Sequence, residues 1–308
     1  MKVIRYSVTK DVVFSALVLF LKKPSKFSFY QFLYVSCRYI NMWPFPVWAD
    51  LLMIKTLRNF VRLRLLKNSI EIGSMIFSQM DNDFVDNLVG MYIDIVIKDK
   101  FYKTDITSKD YNDILFYYYQ EGPYEVDFVN INAGDIVIDA GANIGVFSLL
   151  AAQKGAKVYA FEPQQIFFNL LCNNIKLNNL SNFISCSQYA LSEKSRKACL
   201  FIDKTNLLAS SLNIKRSDNS IIVKCITLDE WVNINNISRV DFIKADIEGA
   251  ERLLLSGAKQ VIRKFKPRLA ISAYHFSDDM VVLEKLIHDI CNDYIIIKSK
   301  KILYAYVK

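Results

Sequence analysis

From about residue 125 onward the chain predicts an α/β fold with a largely parallel sheet, and three stretches carry the prediction. Residues 135–162, DIVIDAGANIGVFSLLAAQKGAKVYAFE, join a buried strand, a tight glycine turn, a helix and a second strand ending in an acid. Residues 241–246, DFIKAD, form another apolar strand that brings Asp246, Glu248 and Gly249 to its carboxyl end, where open α/β sheets place their ligands. Residues 294–297 and 302–307 can pair as an antiparallel edge, a common completion of such a sheet.

Ahead of that domain, residues 1–80 read as basic, aromatic-rich and mainly helical. The best helix there is 51–66, because Leu52, Ile54, Leu57, Phe60, Val61 and Leu65 recur near helical spacing. Residues 89–97 alternate as a strand, and 110–119 read as a short helix. Ile136, Val137 and Ile138 then make the first core strand. Gly141 and Gly145 let the backbone turn and approach closely, and Val146 opens a run of strong helix formers that Gly155 stops. Residues 158–161 return as a second buried strand, and 164–179 form a second helix with Ile166, Leu170 and Leu171 near one face. Strands at 182–187, 199–203 and 221–226, a further connection from 228–232, a helix at 251–255 and a buried strand at 268–273 complete the order. That last strand ends at Tyr274 and His275.

The 308 residues suffice for a substantial core, and six prolines with nine glycines argue against long disordered linkers. The net charge of +8 is uneven: residues 1–70 hold 12 Lys or Arg against Asp11 and Asp50, so the positive field belongs to the front of the chain. The apolar run at 12–21 is too short to span a bilayer, and no signal-peptide cleavage pattern follows it. A basic, aromatic surface lying on anionic lipid and a helical subdomain packed on the core or on a partner subunit are the two readings of this region. No nucleic-acid recognition motif accompanies the charge, so no nucleic-acid partner is expected. The expected location is the cytoplasm, peripheral at the inner membrane face in the lipid reading. Cys37, Cys172, Cys186, Cys199, Cys225 and Cys291 show no C-x-x-C spacing, which supports neither a zinc knuckle nor a redox pair.

The turn separates two ligand classes. A pyrophosphate needs a bare helix amino terminus of the G-x-G-x-x-G kind. Here Asn143 stands two residues after Gly141, and Asp139 precedes the turn with a negative charge that would repel phosphate and suit an ammonium. Glu162, 23 residues after Asp139, sits where a carboxylate accepts the hydrogens of both ribose hydroxyls. An ammonium, a ribose and no phosphate describe S-adenosylmethionine. Asp139, Gly141, Asn143 and Gly145 fit its methionine side, and Gln188 borders its adenine or faces solvent; Asn143 has a second reading, as a cap of the following helix.

The ordered set EGPYE (121–125), DAGANIGVF (139–147), FEP (161–163), LDEW (228–231), IKADIEGAE (243–251) and KPRLAISAYH (266–275) resembles the FkbM family of S-adenosylmethionine-dependent methyltransferases over about residues 115–300. The resemblance implies a seven-stranded class I methyltransferase (Rossmann-like) sheet within residues 81–308 and O-methylation of a hydroxyl, often on a glycan or a glycosylated metabolite. It also implies that Tyr124 and Glu125 close over the ligands. Asp246 and Glu248 are the candidate reaction-site carboxylates. His275 is the candidate base, since a neutral imidazole accepts a hydroxyl proton near physiological pH. Tyr274 packs under a sugar ring or completes the core. No metal is assigned: Asp246, Glu248 and His275 have suitable ligand atoms, but their spacing fixes no geometry. The competing functions are a non-catalytic, membrane-associated glycan-assembly protein and an NAD-linked oxidoreductase.

Overall fold

The computed structural model describes residues 63–65, 69–72, 74–78, 124–202, 210–214, 218–299 and 301–308. The chain divides into two compact units, 1–121 and 122–308. In the first, β1 (Leu63–Leu65), β2 (Ser69–Ile72) and β3 (Met75–Ser78) form an antiparallel sheet, with Leu63 registered against Ile72 and Ile72 against Met75. Residues 63–65 are therefore extended where the spacing of 51–66 predicted a helix. Ladder pairing with the isoleucine-bearing β2 overrides the periodicity there. The rest of that helix, the strand at 89–97, the helix at 110–119 and the apolar and aromatic stretches before residue 50 lie outside the described residues.

The second unit opens with β4 (Ile136–Ala140), α1 (Val146–Gln153), β5 (Lys157–Phe161), α2 (Gln165–Leu177) and β6 (Ile184–Ser187). Gly155 ends α1 as predicted: at φ 89° it turns the chain so that its N–H bonds Ala152 O and the Ala156 N–H bonds Ala151 O, closing the helix end with a left-handed residue. Next come β7 (Ala190–Leu191), β8 (Arg196–Phe201) and β9 (Ser220–Ile226), which form a separate three-stranded sheet in the order β7-β9-β8. The chain finishes with α3 (Leu228–Ile234), β10 (Phe242–Ala245), α4 (Glu251–Ser256), α5 (Lys259–Phe265), β11 (Arg268–Ser272), α6 (Asp279–Ile290), β12 (Ile295–Lys298) and β13 (Ile302–Tyr306).

The main sheet has seven strands in the order β12-β13-β11-β10-β4-β5-β6, the Rossmann-like architecture of class I methyltransferases. β13 runs antiparallel to both its neighbours, and the strand on its outer side, β12, is the edge. Alternation along each strand assigns its two faces. Ile138, Ala140, Phe161, Ile243, Ala245, Leu269 and Ile271 join Trp231 of α3, Leu254 and Leu255 of α4, Ile262 of α5 and Leu283 and Ile287 of α6 in one core cluster. The Trp231 ring meets Phe161 edge-on at 4.9 Å. Val137, Asp139, Phe242 and Lys244 hold the alternate positions, and Phe242 packs 6.1 Å from Phe147 of α1.

One contact adds to the sequence reading, which both free cysteines otherwise fit. Cys172 of α2 and Cys186 of β6 place their sulfurs 2.8 Å apart, a pairing that their separation of 14 residues hid. Burial, and then the neighbouring Cys172, push the Cys186 thiol up to about 12. Among the described residues, no helix is long and apolar enough to cross a membrane.

Candidate functional site

The strand order reverses between β4 and β10. From β4 the chain crosses to β5 on one side, whereas β10 and β11 extend the sheet on the other. Such a switch point opens a crevice at the carboxyl ends of the strands. Here the crevice holds about 560 Å³, part of it open to solvent, and Gly141, Asn143, Glu162, Tyr189, Asp246 and Glu248 stand in its wall.

The floor depends on close backbone approach. Gly141 has φ 74°, and a Cβ there would sit 2.0 Å from the backbone oxygen of Asp246. The N–H groups of Gly141 and Ala142 both bond Phe161 O, tying the turn to the end of β5. Lys244, 4% exposed, lies beneath and donates to Gly141 O at 2.8 Å. Its Nζ also pairs with Asp139 Oδ1 at 3.0 Å, while Ser148 Oγ donates to Asp139 Oδ2 at 2.6 Å.

Asp139 thus corrects the sequence reading. Fully buried, matched to Lys244 and outside the crevice wall, its carboxylate has its charge balanced within the protein. It organises the turn from below. The sequence reading missed Lys244, although a lysine inside the apolar strand DFIKAD is itself a signal, since a buried lysine requires a partner.

Glu162 and Asn143 face the crevice together. Glu162 is 5% exposed; its Oε2 accepts from Asn143 N at 3.0 Å and its Oε1 from Gln164 N at 2.9 Å. Each oxygen keeps a lone pair for a further donor. Asn143 adopts φ 52°, and among the described residues its buried Oδ1 has no hydrogen-bond partner. It does not cap α1, whose N-cap is Gly145 at φ 95° without a side-chain bond.

Burial drives the Glu162 pKa up to about 7, against the pull of the Gln164 and Asn143 N–H groups and Lys244; Asp139 adds to the rise. Two opposite pH responses follow. The folded state holds a proton that the unfolded chain has released, so this group's contribution to stability is full below about pH 4.5 and is lost as pH rises through about 7. Ribose hydroxyls require the ionised form, so affinity for a nucleoside ligand should strengthen from pH 6 to 8. Calorimetric titration across that range tests this, and a flat profile in the wild-type chain contradicts it.

Asp246, at the end of β10, gathers the remaining site residues. Tyr124 OH donates to its Oδ2 at 2.7 Å and Tyr274 OH to its Oδ1 at 3.2 Å. Burial raises the Asp246 pKa, but Lys244, His275 and the Tyr124 hydroxyl outweigh it, and the carboxyl is held below its ordinary value. The His275 side chain, 2% exposed, stands 3.8 Å from Asp246 Oδ1, 3.5 Å from Glu248 Oε2 and, at Nδ1, 3.3 Å from Glu251 Oε1. Burial disfavours a charged ring, but Glu251, Asp246 and Glu248 prevail and hold its pKa up at about 9. The neutral imidazole expected of a general base is therefore the minor form at neutral pH.

Three further residues lie elsewhere than expected. Glu125 is 2% exposed and is absorbed by the Ile131 N–H and the Lys154 ammonium, an internal brace rather than a ligand contact. Tyr124, equally buried, meets Asp246 through its hydroxyl and Lys244 through its ring face. Gln188 bonds Gln165 of α2 at 3.1 Å, and its neighbours Tyr189, Ala190 and Leu191 form the wall in its place. Leu200, Ser210 and Leu212, from β8 and the segment after it, complete that wall. The sequence reading identified a strand there but not its contribution to the site.

Comparison with known proteins converges on the same region. The profile of the methyltransferase FkbM domain matches residues 139–293, half of the chain, from within β4 to just past α6. The chain belongs to the FkbM methyltransferase family. Methyltransferase sdnD of Sordaria araneosa is 26% identical over 196 residues, covering 53% of this chain and 75% of its own length. Hexuronic acid methyltransferase AglP of Haloferax volcanii is 26% identical over 129 residues, 42% of this chain and 52% of AglP. The 31-O-demethyl-FK506 methyltransferase FkbM of Streptomyces tacrolimicus is 24% identical over 163 residues, 42% of this chain and 62% of that protein. This chain thus spans about half to three quarters of those relatives. All three relatives carry methyltransferase names.

Proposed function

We propose that the chain is an S-adenosylmethionine-dependent O-methyltransferase acting on a hydroxyl of a sugar or glycan precursor. The observation that carries the donor half is the pairing of Glu162 and Asn143 at the switch-point crevice. Glu162 offers both oxygens where a ribose would present its hydroxyls, and the unpartnered Asn143 Oδ1 offers an acceptor to an ammonium. The residues therefore fit S-adenosylmethionine, which when bound supplies an electrophilic methyl group on a sulfonium. Leu191, Leu200 and Leu212 give an apolar wall for an aromatic base.

Asp246 is the residue assigned to the reacting end. Held ionised by Lys244, His275 and Tyr124, it favours positive charge in the crevice and accepts a hydrogen bond from an approaching hydroxyl. A carboxyl with a depressed pKa is a weak base, so its contribution is orientation and electrostatics more than proton removal. Asp246→Asn should accordingly lower single-turnover methyl transfer by about 10²-fold while donor affinity changes little. An unchanged rate would remove Asp246 from the chemistry.

The acceptor class rests on kinship: one relative is named for a hexuronic acid and another for an O-demethyl substrate. The test is transfer of a labelled methyl group from S-adenosylmethionine to a panel of uronic acids, neutral hexoses and their glycosides, with products identified by mass spectrometry. A methyl ether on a sugar hydroxyl supports the proposal. Donor binding without label on any hydroxyl overturns it in favour of the non-catalytic role.

A further inference from the structure

The arrangement around His275 exceeds what orienting Asp246 requires. Three carboxylates converge on one imidazole: Asp246 and Glu248 toward Nε2, Glu251 toward Nδ1. One ligand-type atom each from Asp246, Glu251 and His275 lies within 4.8 Å of the others. The ring is 2% exposed, yet among the described residues neither nitrogen makes a hydrogen bond. The carboxylates stand at ion-pair range without the alignment of a bond. A buried cluster with more negative than positive charge is costly unless something further balances it. The cluster also opens on one side only, since Asp246 and Glu248 line the crevice while Glu251 is 1% exposed behind them.

We propose that Asp246, Glu251 and His275 bind a divalent cation at the acceptor end of the crevice, with Glu248 at its open side. Oxygen and imidazole ligands bind such ions at about 2.0–2.2 Å, so ligand atoms around one ion stand about 3–4 Å apart. Ligand atoms that now lie within 4.8 Å of one another close by up to about 1–2 Å to surround one ion. One imidazole nitrogen releases its proton to water and takes the ion, while the other keeps its N–H against a carboxylate, the usual way a metal-bound histidine is oriented. Mixed oxygen and nitrogen donors suit Mn²⁺ or Zn²⁺ better than an all-oxygen site would. The role of the ion rests on the methyltransferase reading. It polarises the acceptor O–H so that the proton leaves to water at the crevice mouth and the electron pair stays on oxygen. This supplies the activation that an ionised, weakly basic Asp246 lacks.

The test titrates Mn²⁺ into the full chain without any methyl donor, following the free-ion electron paramagnetic resonance signal. One ion per chain is expected. Binding should weaken at least tenfold in His275→Ala and in Glu251→Gln, and stay unchanged in Glu284→Gln, whose carboxylate pairs with Lys298 on the surface. If melting curves show that either site variant fails to fold, Glu248→Gln, at the partly exposed rim, replaces it and should weaken binding severalfold. Absence of stoichiometric Mn²⁺, Mg²⁺ or Zn²⁺ binding in the folded wild type, or undiminished binding in the site variants, overturns the proposal and leaves the donor site untouched. Binding that does not stimulate methyl transfer by a competent enzyme overturns the activating role alone.

Discussion

Lys244→Met should destabilise the second unit by about 3–5 kcal/mol, because it strands the Asp139 carboxylate in the interior with Ser148 as its remaining hydrogen-bond donor. At this size the loss corresponds to a melting temperature lower by roughly 6–20 °C. The same substitution removes the donor beneath Gly141 O, so nucleoside affinity should fall together with stability. Adding Asp139→Asn should recover part of the stability, since it removes the uncompensated charge. Thermal melts of the two single variants and the double variant measure this coupling. A loss below about 1 kcal/mol for Lys244→Met would mean that the pair behaves like an exposed ion pair.

Gly141→Ala should be nearly as costly, with the damage centred on ligand binding. A left-handed backbone at an alanine costs about 1–2 kcal/mol. The added Cβ would also lie 2.0 Å from the backbone oxygen of Asp246, where no side-chain rotation relieves it. Separating the ends of β4 and β10 costs about 1–3 kcal/mol more and displaces Asp246 relative to Asn143. The expected outcome is a folded protein whose affinity for S-adenosylhomocysteine is at least tenfold weaker, measured by calorimetry below its melting transition. Wild-type affinity in this variant would show that the turn tolerates a wider crevice.

The parts of the molecule legible in the sequence are those whose chemistry is local. The strand, turn, helix and strand from Ile136 to Phe161 could be read because apolar runs, glycines and helix formers act over a few residues, and the Gly155 stop has a local hydrogen-bond pattern. Glu162 was legible for the same reason, as an acid at a strand end. What the sequence hid depends on alternation and distance. Asp139 looks like a ligand residue until β4 is paired with β10, which sets it against Lys244 over a separation of 105 residues. Tyr124 lies 122 residues from the carboxylate it holds, so its role had no local signal. His275 was legible as a site residue but not as a charged one, because Glu251 belongs to a helix that reads simply as having an acidic first turn. Residues 63–65 show the converse failure, a local periodicity overruled by strand pairing.

The central claim is that the β4–β10 switch point holds S-adenosylmethionine through Glu162 and Asn143. Its most direct test is calorimetric titration of S-adenosylhomocysteine into the full chain and into Glu162→Gln at pH 8, where the wild-type carboxyl is ionised. The account predicts saturable binding of one ligand per chain, weakened at least tenfold in the variant, and no comparable binding of NAD. A folded wild-type chain that does not bind the ligand, or a variant that binds it equally well, would contradict the account.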